Sequence, residues 1–439
     1  MAATPGRRIC VIGAGPSGLT TLKNLRQAGL EQVVCYEAAD AIGGNWVYRE
    51  AEGHSSVYAS THLISSKKLS QFEDFPMPQD YPDFPSHRQV LAYFKSYASH
   101  FGIEPLIEFK TRVVSARVQP DQSWLIAVDG PAGKREERFD VLFVCSGHHF
   151  DPAIPTYPGN FTGEILHSHS YKRAETFAGK RVLVVGGGNS ACDIAVDLSR
   201  VAARTALSMR RGYHIVPKIV FGMPVDVAYK RVRRLPKPVR RFILDKGLKL
   251  AIGRWDRYGL EEPARPIMEM HPTLNTDILL AFRHGRVAAK RGIERFEGKT
   301  VHFTDGSAEA FDTVIWATGY RTSFPFFDPA FLDWREALHL PLYLKMMPAD
   351  CPTLYFIGLF QPIGCIWNLA DHQARIAALH LTGQLDRPRD LAARIAKEMA
   401  HPHWHFEDRP RHQAEVDFHE FRKDLMRELK AARVTQVAA

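Results

Sequence analysis

The chain has 439 residues, 45% of them apolar and 24% charged. That balance excludes a disordered or fibrous chain and, at roughly 100 to 200 residues per domain, a single small module. Lysine and arginine total 57 against 48 acids, a formal +9, which admits nucleic acid, anionic lipid or an anionic cofactor as partner without choosing among them.

Taken in chain order, the N-terminus runs from Arg7 and Arg8 through a short apolar stretch into a glycine motif. It leaves no room for a signal-peptide core, and no stretch of the chain reaches the ~18 consecutive apolar residues of a membrane span. Arg8–Ile12 is a β-branched apolar run with no helical period, followed by Gly13, Gly15 and Gly18 at GxGxxG spacing and a helical stretch over Leu19–Ala28. This is the strand, turn and helix of a dinucleotide fold. Gly13 permits the tight turn, Gly15 lets backbone approach a pyrophosphate, and Gly18 lets helix and strand pack, so that the helix N-terminus faces the phosphates; Pro16 and Ser17, within the loop, are counted with the cofactor-binding residues. A second apolar run, Gln32–Tyr36, ends in Glu37, 19 residues beyond Gly18. A carboxylate there accepts hydrogen bonds from an unphosphorylated ribose diol.

The same grammar recurs at Arg181–Val185, followed by Gly186, Gly188 and Ala191, with Asn189 and Ser190 between them and a helix over Cys192–Ala202. Here the next strand, Thr205–Met209, ends in Arg210 and Arg211. A guanidinium forks onto a 2′-phosphate, which a carboxylate would repel. The first loop therefore reads as an FAD site and the second as an NADPH site.

A third echo links Phe139–Gly147 (FDVLFVCSG) with Phe311–Gly319 (FDTVIWATG), the latter ending in Thr318 and Gly319. Each is a buried strand ending in bare backbone, suited to lie against a dinucleotide. The expected fold is α/β, with two Rossmann-like dinucleotide-binding domains, the NADPH domain inserted in the FAD domain. The expected boundaries are 1–166 for the first part of the FAD domain and 167–280 for the NADPH domain, with a helical insertion around 213–270. The second part of the FAD domain is expected over 281–439, ending in a helical tail.

Phe161, Gly163, His167 and Tyr171 stand at FxGxxxHxxxY spacing. With Glu37, Gly43–Trp46 (GGNW), Ser65–Pro78, Gly186–Ala195 and Ala317–Tyr320 (ATGY), they make the chain resemble the flavin-containing monooxygenases over roughly residues 7 to 380. The resemblance implies FAD and NADPH as cofactors and O2 as co-substrate. It also implies oxygenation of a small-molecule nitrogen or sulfur nucleophile through a C4a-hydroperoxyflavin, in which the cofactor carries the hard chemistry. Gly44, Asn45, Trp46 and Leu63 are then expected beside the flavin, and Cys365 and Trp367 near it or in the core.

One position departs from the family pattern. Many members carry an asparagine before the SSK-like segment, where this chain has Ile64, which can neither donate nor accept a hydrogen bond. Two alternatives stay open beside N- or S-oxygenation: Baeyer–Villiger oxygenation of a ketone, and NADPH oxidation ending in hydrogen peroxide. His62 would share a face with Ile64 in an extended segment and could supply the lost donor. No further catalytic residue is assigned.

Six cysteines form no CxxC pair, and His401, His403 and His405 have no acid or cysteine at a convincing distance, so no metal is expected. The same cysteine pattern suits a reducing cytoplasm. Seven cations lie between Lys230 and Arg241 with no aromatic residue among them, so no nucleic acid is expected. A solvated helical insertion is favoured there, and contact with a membrane surface is the second reading. Val416, Phe418, Phe421, Leu425 and Leu429 recur at helical spacing in the tail, which fits a helix docked on the body or on the second subunit of a homodimer.

Overall fold

A computed structural model describes residues 6–50, 53, 55–267, 269–400 and 412–437, with side chains up to residue 432. His401, His403 and His405 lie outside the described residues.

The apolar run after Arg8 forms strand β1 (Ile9–Ile12), buried on both faces, and Pro16 opens helix α1 (Pro16–Gln27). Strand β2 (Val33–Tyr36) follows. Helix α2 (His87–His100) starts at Ser86, whose side chain and that of Gln89 cap each other's backbone N–H groups. Short strand β3 (Ile107–Glu108) precedes an antiparallel meander of β4 (Arg112–Val118), β5 (Trp124–Gly130) and β6 (Gly133–Phe139), which leads into β7 (Val141–Val144).

The second unit begins with β8 (Glu164–His167), β9 (Arg181–Val185), helix α3 (Asn189–Leu198) and β10 (Arg204–Ser208). Helices α4 (Val225–Val232) and α5 (Lys237–Ile252) follow, within the helical insertion expected around 213–270. Then come β11 (Ala288–Lys290) and, after another antiparallel meander over 293–310, β12 (Thr313–Trp316). The chain then adds β13 (Leu354–Phe356), helix α6 (Trp367–Leu381) and the terminal helix α7 (Phe418–Val437).

These strands build two all-parallel sheets of five, in the order β13-β7-β1-β2-β3 and β8-β12-β9-β10-β11. Each glycine loop follows the central strand of its sheet. In each sheet the strand after the meander, β7 or β12, lies directly beside that central strand.

The two sheets divide the strands at other places than the expected domain boundaries. Phe311–Gly319 belongs to the second sheet, with Val182 of β9 in register with Thr313 of β12. The chain therefore returns to the first sheet only at β13, well beyond residue 281. The boundary near 166 also falls inside β8, an edge strand of the second sheet. Burial explains the placement: Val314 and Ile315 of β12 are fully buried, and their cores include Leu183 and Val184 of β9 respectively.

The tail docks on the body of the same chain. Val416, Phe418, Phe421, Leu425 and Leu429 are buried in one core with Leu369 and Ile376 of α6. Cys365 and Trp367 are core residues as well: each donates to the carbonyl of Ser70, and Trp367 packs edge-on against Trp46. No helix of the described residues is long and apolar enough to cross a membrane.

Candidate active site

Both glycine loops are built by close backbone contact. Gly13 has φ +99°, and a Cβ there would lie 2.9 Å from the carbonyl oxygen of Cys145 at the end of β7. Gly186 has φ +140°, and a Cβ there would lie 2.3 Å from the carbonyl oxygen of Ala317 at the end of β12. In each unit, then, the turn presses on the neighbouring strand where only a glycine fits. Ala191 replaces the third glycine in the second loop, and its side chain is fully buried.

Helix α1 starts at Gly15 and helix α3 at Gly188; neither has a side-chain cap or an acid in its first turn. Amides at such a helix start need an acceptor, and the positive end of the helix dipole favours an anion. Ser17 is half-buried and Ser190 exposed at these two starts. Beside Gly15 runs the short 3-10 turn Gly44–Trp46, whose Gly44 Cα is the nearest atom, 3.6 Å from where a Gly15 Cβ would stand. The residues present, an uncapped helix start beside bare glycine backbone, fit an anionic group such as a diphosphate.

The ends of the second strands differ in charge. Glu37 is buried, and its carboxylate accepts from the backbone N–H groups of Ala14 (2.6 Å) and Ala39 (2.7 Å). A carboxylate offers about four acceptor positions, so two remain for a diol. Arg210 is exposed at the end of β10, and the guanidinium of Arg211 lies over the ring of Tyr213 at 5.5 Å. The hydroxyl of Thr318 donates to the carbonyl of Ala153 (2.6 Å), and the space beside Gly319 is open.

Ile64 and Asn189 both line one cavity of about 520 Å³. Ile64 sits beside Leu63, which is buried and whose N–H donates to the carbonyl of Pro85 (2.9 Å). Asn189 is fixed by accepting from the backbone N–H of Leu274 (2.8 Å). Asp226 of α4, also in the wall, accepts from the backbone N–H of Ser66 (2.7 Å) and so ties the Ile64 segment to the insertion. His62 does not join this group. It is exposed, its Nδ1 lies 2.8 Å from the carbonyl oxygen of Ser60, and it is not part of the cavity wall.

Sequence reasoning missed the contribution of the C-terminal segment. Asp417, Phe418 and His419 form part of the cavity wall, and burial, with Arg233 nearby, pulls His419 down to about 4. Glu415 of that segment is buried, 2.6 Å from His412 Nδ1 and 3.8 Å from His271 Nδ1. The segment's apolar spacing signalled a docked helix; nothing local signalled what it docks on.

A family model described as flavin-binding monooxygenase-like matches residues 6–434. Flavin-containing monooxygenase 5 of Oryctolagus cuniculus is 38% identical over 397 residues, 86% of this chain and 74% of that protein. The same enzyme of Rattus norvegicus is 36% identical over 433 residues, 94% of this chain and 80% of that protein.

The chain belongs to the flavin-containing monooxygenase family.

Its cofactors are accordingly FAD and NADPH. Solved structures share the fold: S-allyl-L-cysteine S-oxygenase of Allium sativum superposes with a TM-score of 0.72 at 22% identity, over 98% of this chain and 91% of that one. Cyclohexanone monooxygenase of Rhodococcus sp. Phi1 bound to NADP+ does so with a TM-score of 0.72 at 16% identity, over 97% and 98%. The flavin-containing monooxygenase chain thus has the mixed α/β fold of both kinds of enzyme.

Proposed function

We propose that this flavin-containing monooxygenase uses NADPH and O2 to oxygenate a nitrogen or sulfur nucleophile. The observation that carries the reading is the shared cavity, to whose wall Ile64 of the first unit and Asn189 of the second glycine loop both contribute. A site where one cofactor passes reducing equivalents to another must draw both units together. FAD, once reduced by NADPH, supplies the chemistry by which one atom of O2 reaches the substrate and the other leaves as water.

The chain's own residues bind, orient and exclude water. Gly13, Gly15, Pro16, Ser17 and Gly18 hold the FAD diphosphate, Glu37 its ribose, and Gly44, Asn45, Trp46 and Leu63 the flavin side of the site. Gly186, Gly188, Asn189, Ser190 and Ala191 hold the NADPH diphosphate, Arg210 and Arg211 its 2′-phosphate, and Thr318 and Gly319 give it bare backbone. In this reading the NADPH unit is inserted in the FAD unit between β7 and β13. The apolar wall from Ile64, Leu274 and Phe418 keeps water from the reacting oxygen.

A second reading, NADPH oxidation that ends in hydrogen peroxide, is favoured by Ile64 itself, since the wall has no hydrogen-bonding group at that position. Turnover with a dialkyl sulfide and a cyclic ketone together, with peroxide titrated alongside, separates the readings. Sulfoxide is the expected product; lactone alone, or peroxide matching all the NADPH consumed, overturns the proposal.

A further inference from the structure

Lys230 and Arg233 stand at the C-terminal end of α4, and both line a small recess of about 250 Å³. Lys68, on the short helical turn Lys67–Ser70 that follows the Ile64 segment, and Arg422 of α7 line it too. Four cations from three distant stretches of the chain thus share one wall, in which Glu73 is the one acid among the described residues. Glu73 is already committed: it lies 3.6 Å from His372 Nε2 and 2.6 Å from Arg422, and these two partners hold its carboxyl down at about 2. Lys68, Lys230 and Arg233 have no ion pair among the described residues, and Arg233 Nε is buried without a hydrogen bond. His419, also in this wall, adds no charge at neutral pH, since burial pulls it down to about 4.

The helix dipole accounts for cations in the last turn of α4, but it does not bring Lys68 or Arg422 to them. Like charges gathered in one recess repel each other unless an anion joins them. Asn368 of α6, in the same wall, narrows the chemistry of that anion. Its amide nitrogen donates to the carbonyl of Leu69 (2.8 Å), which fixes the orientation of the amide, and its Oδ1 is buried with no donor. A ligand that completes this wall must be anionic and also carry an O–H to donate. Hydrogen phosphate has both; sulfate and a carboxylate lack the hydrogen. The recess is also smaller than the roughly 300–1,000 Å³ that larger organic ligands occupy, and none of the residues assigned to FAD or NADPH lines it.

We propose that this recess binds inorganic phosphate, with Lys68, Lys230 and Arg233 on its charged oxygens and Asn368 Oδ1 accepting from its hydroxyl. The bound anion bridges the Lys67–Ser70 turn to α4, two segments already joined by the hydrogen bond from Ser66 N–H to Asp226. Phe418 and His419 line both this recess and the larger cavity, so phosphate steadies a wall that the two share. The inference goes beyond the redox reading and does not depend on it.

The test is isothermal titration calorimetry of the full chain, loaded with FAD and saturated with NADP+, against sodium phosphate and against sodium sulfate at neutral pH and low ionic strength. Saturation with NADP+ keeps the nucleotide's own phosphate seats filled. A single phosphate should bind per chain, about threefold or more tighter than sulfate, the difference that one added hydrogen bond makes. Lys68→Gln/Lys230→Gln should weaken phosphate about tenfold or more through lost charge-assisted hydrogen bonds, with flavin content unchanged. Phosphate should also slow hydrogen exchange over 66–70 and 225–233 in the native chain and not in that variant. Absence of phosphate binding once NADP+ is bound, equal affinity in the native chain and the lysine variant, or sulfate bound as tightly as phosphate would each overturn the proposal.

Discussion

Gly18 lies directly under the carbonyl of Gly13: a Cβ on Gly18 would stand 1.9 Å from that oxygen. The obstacle is backbone, so it can be relieved only by moving α1 away from the turn. Gly18→Ala should cost about 1–3 kcal/mol of stability, as overpacking does, and spoil the amide cradle at the start of α1. The variant should purify with most of its flavin absorbance lost and a lower Tm. Retention of full flavin content would remove this loop as the FAD seat.

Arg210 stands at the end of β10 in the place that Glu37 holds after β2. If its guanidinium binds the 2′-phosphate, Arg210→Ala forfeits a charge-assisted hydrogen bond, about 1.5–3 kcal/mol. KM for NADPH should rise roughly tenfold or more by that measure, while KM for NADH stays near its starting value. Steady-state kinetics with both nucleotides checks this, and an equal change for both would place the 2′-phosphate elsewhere.

Much of this arrangement was legible in the residues. The two turns, Glu37 opposite Arg210 and Arg211, and the buried strands all follow from local pattern, and the structure has strands and glycine turns where those patterns stand. Sheet membership was not legible. FDVLFVCSG and FDTVIWATG are alike in burial and ending, and only long-range register, Val182 beside Thr313, assigns the second to its own sheet. His62 misled for a related reason. Alternation holds within a strand, but His62 makes only an isolated bridge with Ser86, so sharing parity with Ile64 does not place both on one wall. The docking of the tail on α6 is likewise a contact between distant segments, which no local spacing encodes.

Ile64 offers no hydrogen bond to the cavity it lines. Ile64→Asn restores a donor and acceptor there and should divert turnover from peroxide to product, raising the product-to-peroxide ratio severalfold; one hydrogen bond to a charged group is worth about 1.5–3 kcal/mol. Peroxide titration against NADPH consumed measures it. An unchanged ratio would mean that Ile64 does not govern coupling.

Glu415 anchors the segment that brings Phe418 and His419 to the cavity. Burial works against its charge, yet His271 and His412 outweigh burial and bring it from 4.5 to about 2. A depressed carboxyl stabilises the fold fully above the unfolded value, and that stability is lost as pH falls from about 4.5 to about 2. Hydrogen exchange over 412–437 should therefore accelerate across that window before the β1 core opens. Glu415→Gln should bring the acceleration to neutral pH, with a loss of about 2 kcal/mol. Equal exchange in the variant and the wild type at neutral pH would remove the anchor.

The central claim is that one oxygen atom from O2 reaches a soft nucleophile held where the two cofactor units meet. Turnover of a dialkyl sulfide under 18O2 with NADPH tests it most directly. The account predicts a sulfoxide carrying one 18O atom, formed with consumption of NADPH and in excess over peroxide. A sulfoxide without label, or NADPH consumption that yields labelled peroxide and no oxygenated product, would contradict it.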